Sequence, residues 1–221
     1  MKKTLQIAID GPAGAGKSSV AKVLAKKLNC LYLDTGAMYR AVTWLAMEQK
    51  TDLDDLDAIK KILATIKIEF KEKEGEQYLF CNGKDVTELI RSSEVSGNVS
   101  KIAAIPMVRE KMVARQQEIA ADHDVLMDGR DIGTTVLPNA EYKFFLTASL
   151  EERARRRYEQ DLQKGKNPNL EEVKQQIAKR DDFDSKREVS PLVQAPDAEL
   201  IDTSDLTFEE VVEKLFQKIE K

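Results

Sequence analysis

The sequence predicts an α/β fold with a mostly parallel sheet flanked by helices, plus a small antiparallel insert and a short helical lid. Three observations carry this expectation. Short apolar runs with β-branched residues alternate with helix-periodic segments over most of the chain, the pattern of βαβ units. The first such run leads straight into a glycine-rich turn and then a helix. Between residues 63 and 103 the pattern changes to short alternating strands joined by turn residues, which marks an insert with its own sheet.

The elements follow in order. Residues 5–9 read as a buried parallel strand. Residues 18–28 read as a helix with Val20, Val23, Leu24 and Leu28 on one side. Residues 31–33 form a second strand, and 36–49 a helix whose apolar face is Met38, Val42 and Leu45. A helix over 54–63 precedes strands at 66–70 and 77–81, with Glu74-Gly75-Glu76 as the hairpin between them and Asn82-Gly83-Lys84 as a second turn. An extension of the main sheet is the alternative to a separate insert. Pro106 suits the first turn of a helix reaching residue 121. Strands follow at 124–127 and 142–146. An arginine-dense helix covers 151–164 and breaks at 165–168, where Asn169 with Glu172 makes a capping-box-like start for a helix to about 186. A last strand at 200–202 and an amphipathic helix at 208–219 close the chain. The expected organisation is core (1–62), insert (63–103), core (104–152), lid (153–169) and core (170–221).

Composition narrows the function. The chain has 221 residues, enough for one α/β domain with inserts. Its net charge of −4 leaves no basic excess, which argues against a nucleic-acid partner. Cys30 and Cys81 lie far apart, in no CxxC or zinc spacing, and read as reduced thiols. Met1-Lys2-Lys3 is basic, but Asp10 and the glycine turn arrive before a signal-type apolar stretch develops. No apolar run of about 18 residues exists. The cytoplasm is the expected location, with no membrane partner.

Gly11-Pro12-Ala13-Gly14-Ala15-Gly16-Lys17-Ser18 matches G-x-x-x-x-G-K-[ST] between a strand and a helix, so the core is expected to be of the P-loop NTPase type. The glycines let successive N–H groups converge on phosphate oxygens, and the helix N-terminus adds partial positive charge. Lys17 can reach the β- and γ-phosphates, and Ser18 can place its hydroxyl on Mg²⁺, partly through water. No N-K-x-D guanine-reading segment and no L-S-G-G signature occur. A kinase of a small molecule remains, and it needs a cationic acceptor site.

Four segments can supply that site. Arg40 in Asp34-Thr35-Gly36-Ala37-Met38-Tyr39-Arg40 follows a strand end, and its guanidinium suits an acceptor phosphate. In Asp128-Gly129-Arg130-Asp131, three charges surround a glycine at another strand end. Arg130 reads as a second phosphate clamp and Asp128 as the carboxylate that organises Mg²⁺ water or the acceptor. Arg180, Asp184 and Arg187 share a helix face, as a surface salt-bridge ladder also would. Arg153, Arg156 and Arg157 share a face beside the Gly165 break, where a lid could close over ATP; an RNA-contacting helix is the competing reading. His123 reads as a surface or capping residue.

Taken in order from Ile9-Asp10-Gly11-Pro12 to Arg180-Asp181-Asp182 and Arg187, these motifs resemble bacterial cytidylate kinases over nearly the whole chain. The resemblance implies transfer of the γ-phosphoryl group of ATP to CMP or dCMP, with Mg²⁺ as cofactor, small nucleotides as partners and a monomeric state. It implies that the 63–103 insert binds the nucleoside monophosphate. Carried over by position, Thr35, Tyr39, Arg40, Asp128 and Arg130 fall at the acceptor nucleotide. Ser100, Arg109, Asp131 and Arg187 fall at the cytosine edge, and Arg180 and Asp184 at the sugar. Gly11 through Ser18, with Ser19, Arg156 and Arg157, fall at ATP. Lys17, Arg130, Asp128, Arg157 and Arg153 form the expected catalytic set. Some family members carry Gly-Thr where this chain has Ser18-Ser19. A kinase of another small acceptor, or an ATP-binding regulator without transfer activity, stays open.

Overall fold

The computed structural model describes residues 4–73 and 76–220. The expected hairpin residues Glu74 and Gly75, and the basic Met1-Lys2-Lys3, lie outside them. The chain divides into two compact units, Met1–Asp34 with Gln117–Lys221, and Thr35–Gln116.

In the first unit, β1 (Gln6–Asp10) leads through the glycine turn into α1 (Lys17–Leu28) and on to β2 (Leu31–Asp34). The chain returns with β6 (Val125–Asp128), β7 (Tyr142–Thr147), α6 (Leu150–Gln163), α7 (Leu170–Lys186), β8 (Glu199–Asp202) and α8 (Phe208–Ile219). The strands form a five-stranded sheet in the order β2-β6-β1-β7-β8, and every pair is parallel. The central strand β1 has consecutive apolar residues, Ile7, Ala8 and Ile9, all fully buried, as a strand covered on both faces requires. Ile7, Ile9, Leu126 and Leu146 pack against Val20 and Leu24 of α1 and Val211 and Leu215 of α8. The caps agree with the sequence. Thr207 and Glu210 make a reciprocal capping box, and Asn169 accepts from the amides of Glu171 and Glu172.

The second unit contains α2 (Thr35–Glu48), α3 (Leu56–Thr65), β3 (Ile68–Lys73), β4 (Glu76–Cys81), β5 (Lys84–Asp85), α4 (Ser93–Ala104) and most of α5 (Pro106–Asp122). Strands β3, β4 and β5 make a separate antiparallel sheet, so the insert does not extend the main one. Asn82 and Gly83, both at positive φ, turn the chain between the paired Cys81 and Lys84. This compact unit is wider than residues 63–103, because α2 packs on α3 and α4. Helix α4 was not anticipated. Its sequence is rich in serine and holds Gly97, but Val95, Val99 and Ile102 recur at helical spacing and are buried.

The end of β1 fixes the neighbouring loops. Gly11 has φ 143°, and a Cβ there would stand 1.9 Å from the backbone oxygen of Leu146 in β7. Asp10, nearly fully buried, accepts hydrogen bonds from the amides of Ile132 (2.8 Å) and Gly133 (2.7 Å), at the start of a π-helical turn over Ile132–Val136. Burial pushes its carboxyl up to about 6 against the pull of those two amides.

Two predictions follow from this corner. Gly11→Ala must move β7 or distort the turn, and is expected to lose at least about 2 kcal/mol of unfolding free energy in denaturant titration. An unaltered midpoint would show that the backbones have room. For Asp10, the folded value lies above the unfolded one. Its contribution is therefore fully present below about pH 4 and lost as pH rises through about 6. Measured against Asp10→Asn, wild type is expected to lose about 2 kcal/mol of relative stability between pH 4 and pH 7. An equal difference at both pH values contradicts this.

Candidate active site

In the first unit, the site grows from three neighbouring strand ends. The β2–β6 register pairs Asp34 with Asp128, and the β1–β6 register pairs Ile9 with Asp128. Parallel pairing therefore brings Asp34, Asp128 and the glycine turn to the same edge of the sheet. Gly11, Gly14 and Gly16 all have positive φ, and Gly16 hands the chain to α1 with no acidic residue in its first turn. Amide groups and helix dipole are thus left with their positive end toward the turn.

Lys17 is buried, and its ammonium donates to the Pro12 carbonyl at 2.7 Å. Its pKa is pulled well below the usual lysine range, first by burial and next by the Arg130 guanidinium; Arg180 acts in the same direction, while Asp128 and Asp10 oppose. Asp128 accepts from the Ser18 hydroxyl and from the Tyr32 hydroxyl, both at 2.7 Å. Burial, and then the nearby Asp34 carboxylate, push Asp128 above the usual carboxylate range. Tyr32 is likewise pushed up, by burial and then by Asp128. Ser19 is exposed on α1.

Helix α7 supplies the other charges. Arg130 donates through Nε to Asp184 at 3.0 Å, and Arg180 lies 3.9 Å from the same carboxylate. Burial works against ionisation of Asp184, but Arg130, Arg180 and Arg187 together hold it below the usual range. Arg187 lies 3.4 Å from Asp131 and also donates to the Ser190 carbonyl. The Arg180, Asp184 and Arg187 face is therefore no exposed ladder. Asp184 and Arg187 are buried, and Arg130 and Asp131 come from a different element.

The three arginines of α6 part company. Arg153 is buried, with Nε on the Ala148 carbonyl (3.0 Å) and a terminal nitrogen on the Ala13 carbonyl (2.8 Å) and Asp181. Its guanidinium is thus engaged by the glycine turn and α7, unlike those of the two arginines that share its helix face. Arg156 donates to the hydroxyl and carbonyl oxygens of Thr203 (2.9 and 2.6 Å), tying α6 to the end of β8. Arg157 is more exposed and pairs with Asp161 at 3.1 Å. A shared helical face sets direction only at Cβ, and these long side chains reach different partners.

In the second unit, Thr35, Tyr39 and Arg109 are buried, while Arg40 and Ser100 are partly so. Arg109 donates to the Ala103 carbonyl at 3.1 Å, and its guanidinium lies 5.3 Å from the centre of the Tyr39 ring. His123 is exposed near the end of α5, with Nδ1 3.1 Å from the Ile119 oxygen. The thiols of Cys30 and Cys81 are free. Among the described residues no cluster of three or more His, Cys, Asp or Glu could hold a metal ion, and no helix is long and apolar enough to cross a membrane.

Sequence reasoning did not single out Tyr32, Asp34 or Asp181. Asp34 and Asp181 lie inside the quoted motifs, and a carboxylate next to a strand end or an arginine was the available signal. Tyr32 had none, because an aromatic residue in a core strand reads as packing.

Comparison with known proteins matches this geometry to one family. The sequence model of the family described as Cytidylate kinase matches residues 7–221. Cytidylate kinases of Bacillus thuringiensis (strain Al Hakam) and Bacillus cereus (strain AH187) are each 54% identical over 215 residues, covering 97% of this chain and 96% of theirs. The crystal structure of an uncharacterized protein from Eubacterium ventriosum shares the fold, with a TM-score of 0.55 at 14% identity and 99% coverage of both chains. The match to that family's sequence model runs over residues 7–221 and takes in the glycine turn, the buried Lys17 and the Arg130 loop after β6, so the chain belongs to the cytidylate kinase family.

Proposed function

We propose that the protein transfers the γ-phosphoryl group of ATP to CMP or dCMP, giving ADP and CDP or dCDP. The observation that carries this reading is the gathering of Lys17, Arg130 and Arg180 at the glycine turn. Burial first, and next the charge of Arg130 together with that of Arg180, hold the Lys17 ammonium below its usual range, so added negative charge beside it would be stabilising. Phosphate groups supply it. Membership of the family makes ATP the donor, and the two Bacillus relatives named for cytidylate make CMP the acceptor.

In this reading Lys17 exchanges the Pro12 carbonyl for the β- and γ-phosphate oxygens of ATP, and the amides of residues 14–19 cradle the rest. In the first unit Arg130 serves the acceptor phosphate, Arg180 and Asp184 the sugar, and Asp131 and Arg187 the base. In the second unit Arg40 serves the acceptor phosphate, Ser100 and Arg109 the base, and Thr35 and Tyr39 the acceptor nucleotide. Arg156 and Arg157 serve the ATP side, with Arg157 supplying charge from α6. The acceptor oxygen is already anionic, so catalysis consists of alignment and of offsetting repulsion between two phosphate groups.

The residues fit Mg²⁺. Ser18 and Asp128 are hard oxygen donors already joined at 2.7 Å, and Asp34 pairs with Asp128 at the neighbouring strand end. The ion would be held by Ser18, with Asp128 acting through water, and would neutralise the phosphates. A monomeric, cytoplasmic enzyme with small nucleotides as its partners completes the proposal.

Lys17→Ala is expected to fold normally and to lose on the order of 10²–10³ in turnover, measured as ADP release with saturating CMP. Normal turnover would sink the mechanism. An acceptor panel in the same assay tests the substrate. ADP release with shikimate or another small acid but not CMP would point to a different kinase, and ATP binding without any acceptor-dependent release to a regulator. Cytosine presents an amino donor where uracil presents a carbonyl, and Asp131 offers the matching acceptor. A preference for CMP over UMP of about ten- to several hundredfold is expected. Asp131→Asn, whose amide can present either a donor or an acceptor, should lower efficiency with CMP and narrow that ratio. A ratio identical to wild type would remove Asp131 from base reading.

A further inference from the structure

The glycine turn is gripped from outside by a ring of hydrogen bonds. Ala13 spends both its backbone polar groups there. Its N–H donates to Asp181 Oδ1 at 3.0 Å, and its carbonyl accepts from a terminal nitrogen of Arg153 at 2.8 Å. The same nitrogen of Arg153 donates to Asp181 Oδ2, which closes the ring. Both side chains are largely shielded, at 10% and 17% exposure, so the pair is not a screened surface bridge. Apolar packing reinforces the grip, as Ala13 clusters with Ala154 of α6 and Val173 and Ile177 of α7. Gly14 follows directly. A Cβ on it would stand 3.0 Å from both the Cβ and the backbone oxygen of Arg153, so the turn runs hard against α6. Gly14 and Gly16 sit at positive φ on either side of the buried Ala15.

We propose that Asp181 is a positioning residue for the donor nucleotide. It orients Arg153 and the Ala13 peptide so that the amides of the following residues converge on the phosphates. Both its oxygens are occupied inside the ring, so it acts on the turn and not on the nucleotide. The same helix carries Arg180 and Asp184, and the latch therefore joins the donor turn to the helix that faces Arg130. This inference rests on the reading that the turn binds ATP.

The test uses the full chain with three readouts: ADP affinity by calorimetry, separate KM values for ATP and CMP, and thermal midpoint. Removing the carboxylate leaves the Ala13 amide and a shielded guanidinium without their partner. Asp181→Ala is expected to weaken ADP binding at least about tenfold and raise KM for ATP in parallel, with KM for CMP within about twofold of wild type. Asp181→Asn keeps one acceptor for the Ala13 amide and is expected to lose only about threefold, with the same split. ADP affinity of Asp181→Ala equal to wild type overturns the proposal. So does a rise in both KM values by the same factor alongside a fallen midpoint, since that is the mark of general destabilisation. Should Asp181→Ala not fold, Asp181→Asn decides by itself, and wild-type ADP affinity in that variant overturns the proposal. Failure of the wild-type protein to bind ADP would instead remove the proposed function.

Discussion

Parallel pairing of β6 between β2 and β1 is the constraint on which the first unit depends. Its register sets Asp128 beside Asp34 on one side and Ile9 on the other, one residue before Asp10 and the glycine turn. Strands that all run the same way end at the same edge, so every loop that carries chemistry in this unit starts there. The turn reaches Lys17 and Ser18, the β6 end reaches Arg130 and Asp131, and Asp10 fastens the latter loop through two amides. A slip of this register by one residue would turn Asp128 to the other face and part it from Ser18 and Tyr32.

Burial then makes these charges costly, and their interactions follow from that cost. Lys17 and Asp128 are both shifted toward their neutral forms, while Asp184, surrounded by arginines, is held ionised. Burial is the largest cause of the first two shifts, and a like charge beside each group adds to it, Arg130 for Lys17 and Asp34 for Asp128. In the proposed function, phosphates beside Lys17 and a divalent ion beside Asp128 would offset that cost.

Much of this was legible from residue order. The helix at Phe208–Ile219 appears where its apolar spacing puts it, and the β4–β5 turn appears where Asn82-Gly83 calls for positive φ. The glycine turn, too, is defined by local rules. The helix at Ser93–Ala104 escaped because a weak local preference was overruled by burial of Val95, Val99 and Ile102. The π-helical turn at Ile132–Val136 escaped because its shape answers to Asp10, more than a hundred residues away along the chain.

The arginines of α6 mark where residue order stops being sufficient. By itself the sequence determined that a phosphate-cradling turn is followed by arginine-bearing segments, because backbone conformation and helical period are local properties. Which carbonyl or carboxylate each guanidinium reaches depends on elements distant in the chain. Arg153 closes on Ala13 and Asp181, Arg156 on Thr203, and Arg157 stays with Asp161 in its own helix. A long side chain can satisfy its charge in many ways, and only the packing of α6 against α7, the turn and β8 selects among them.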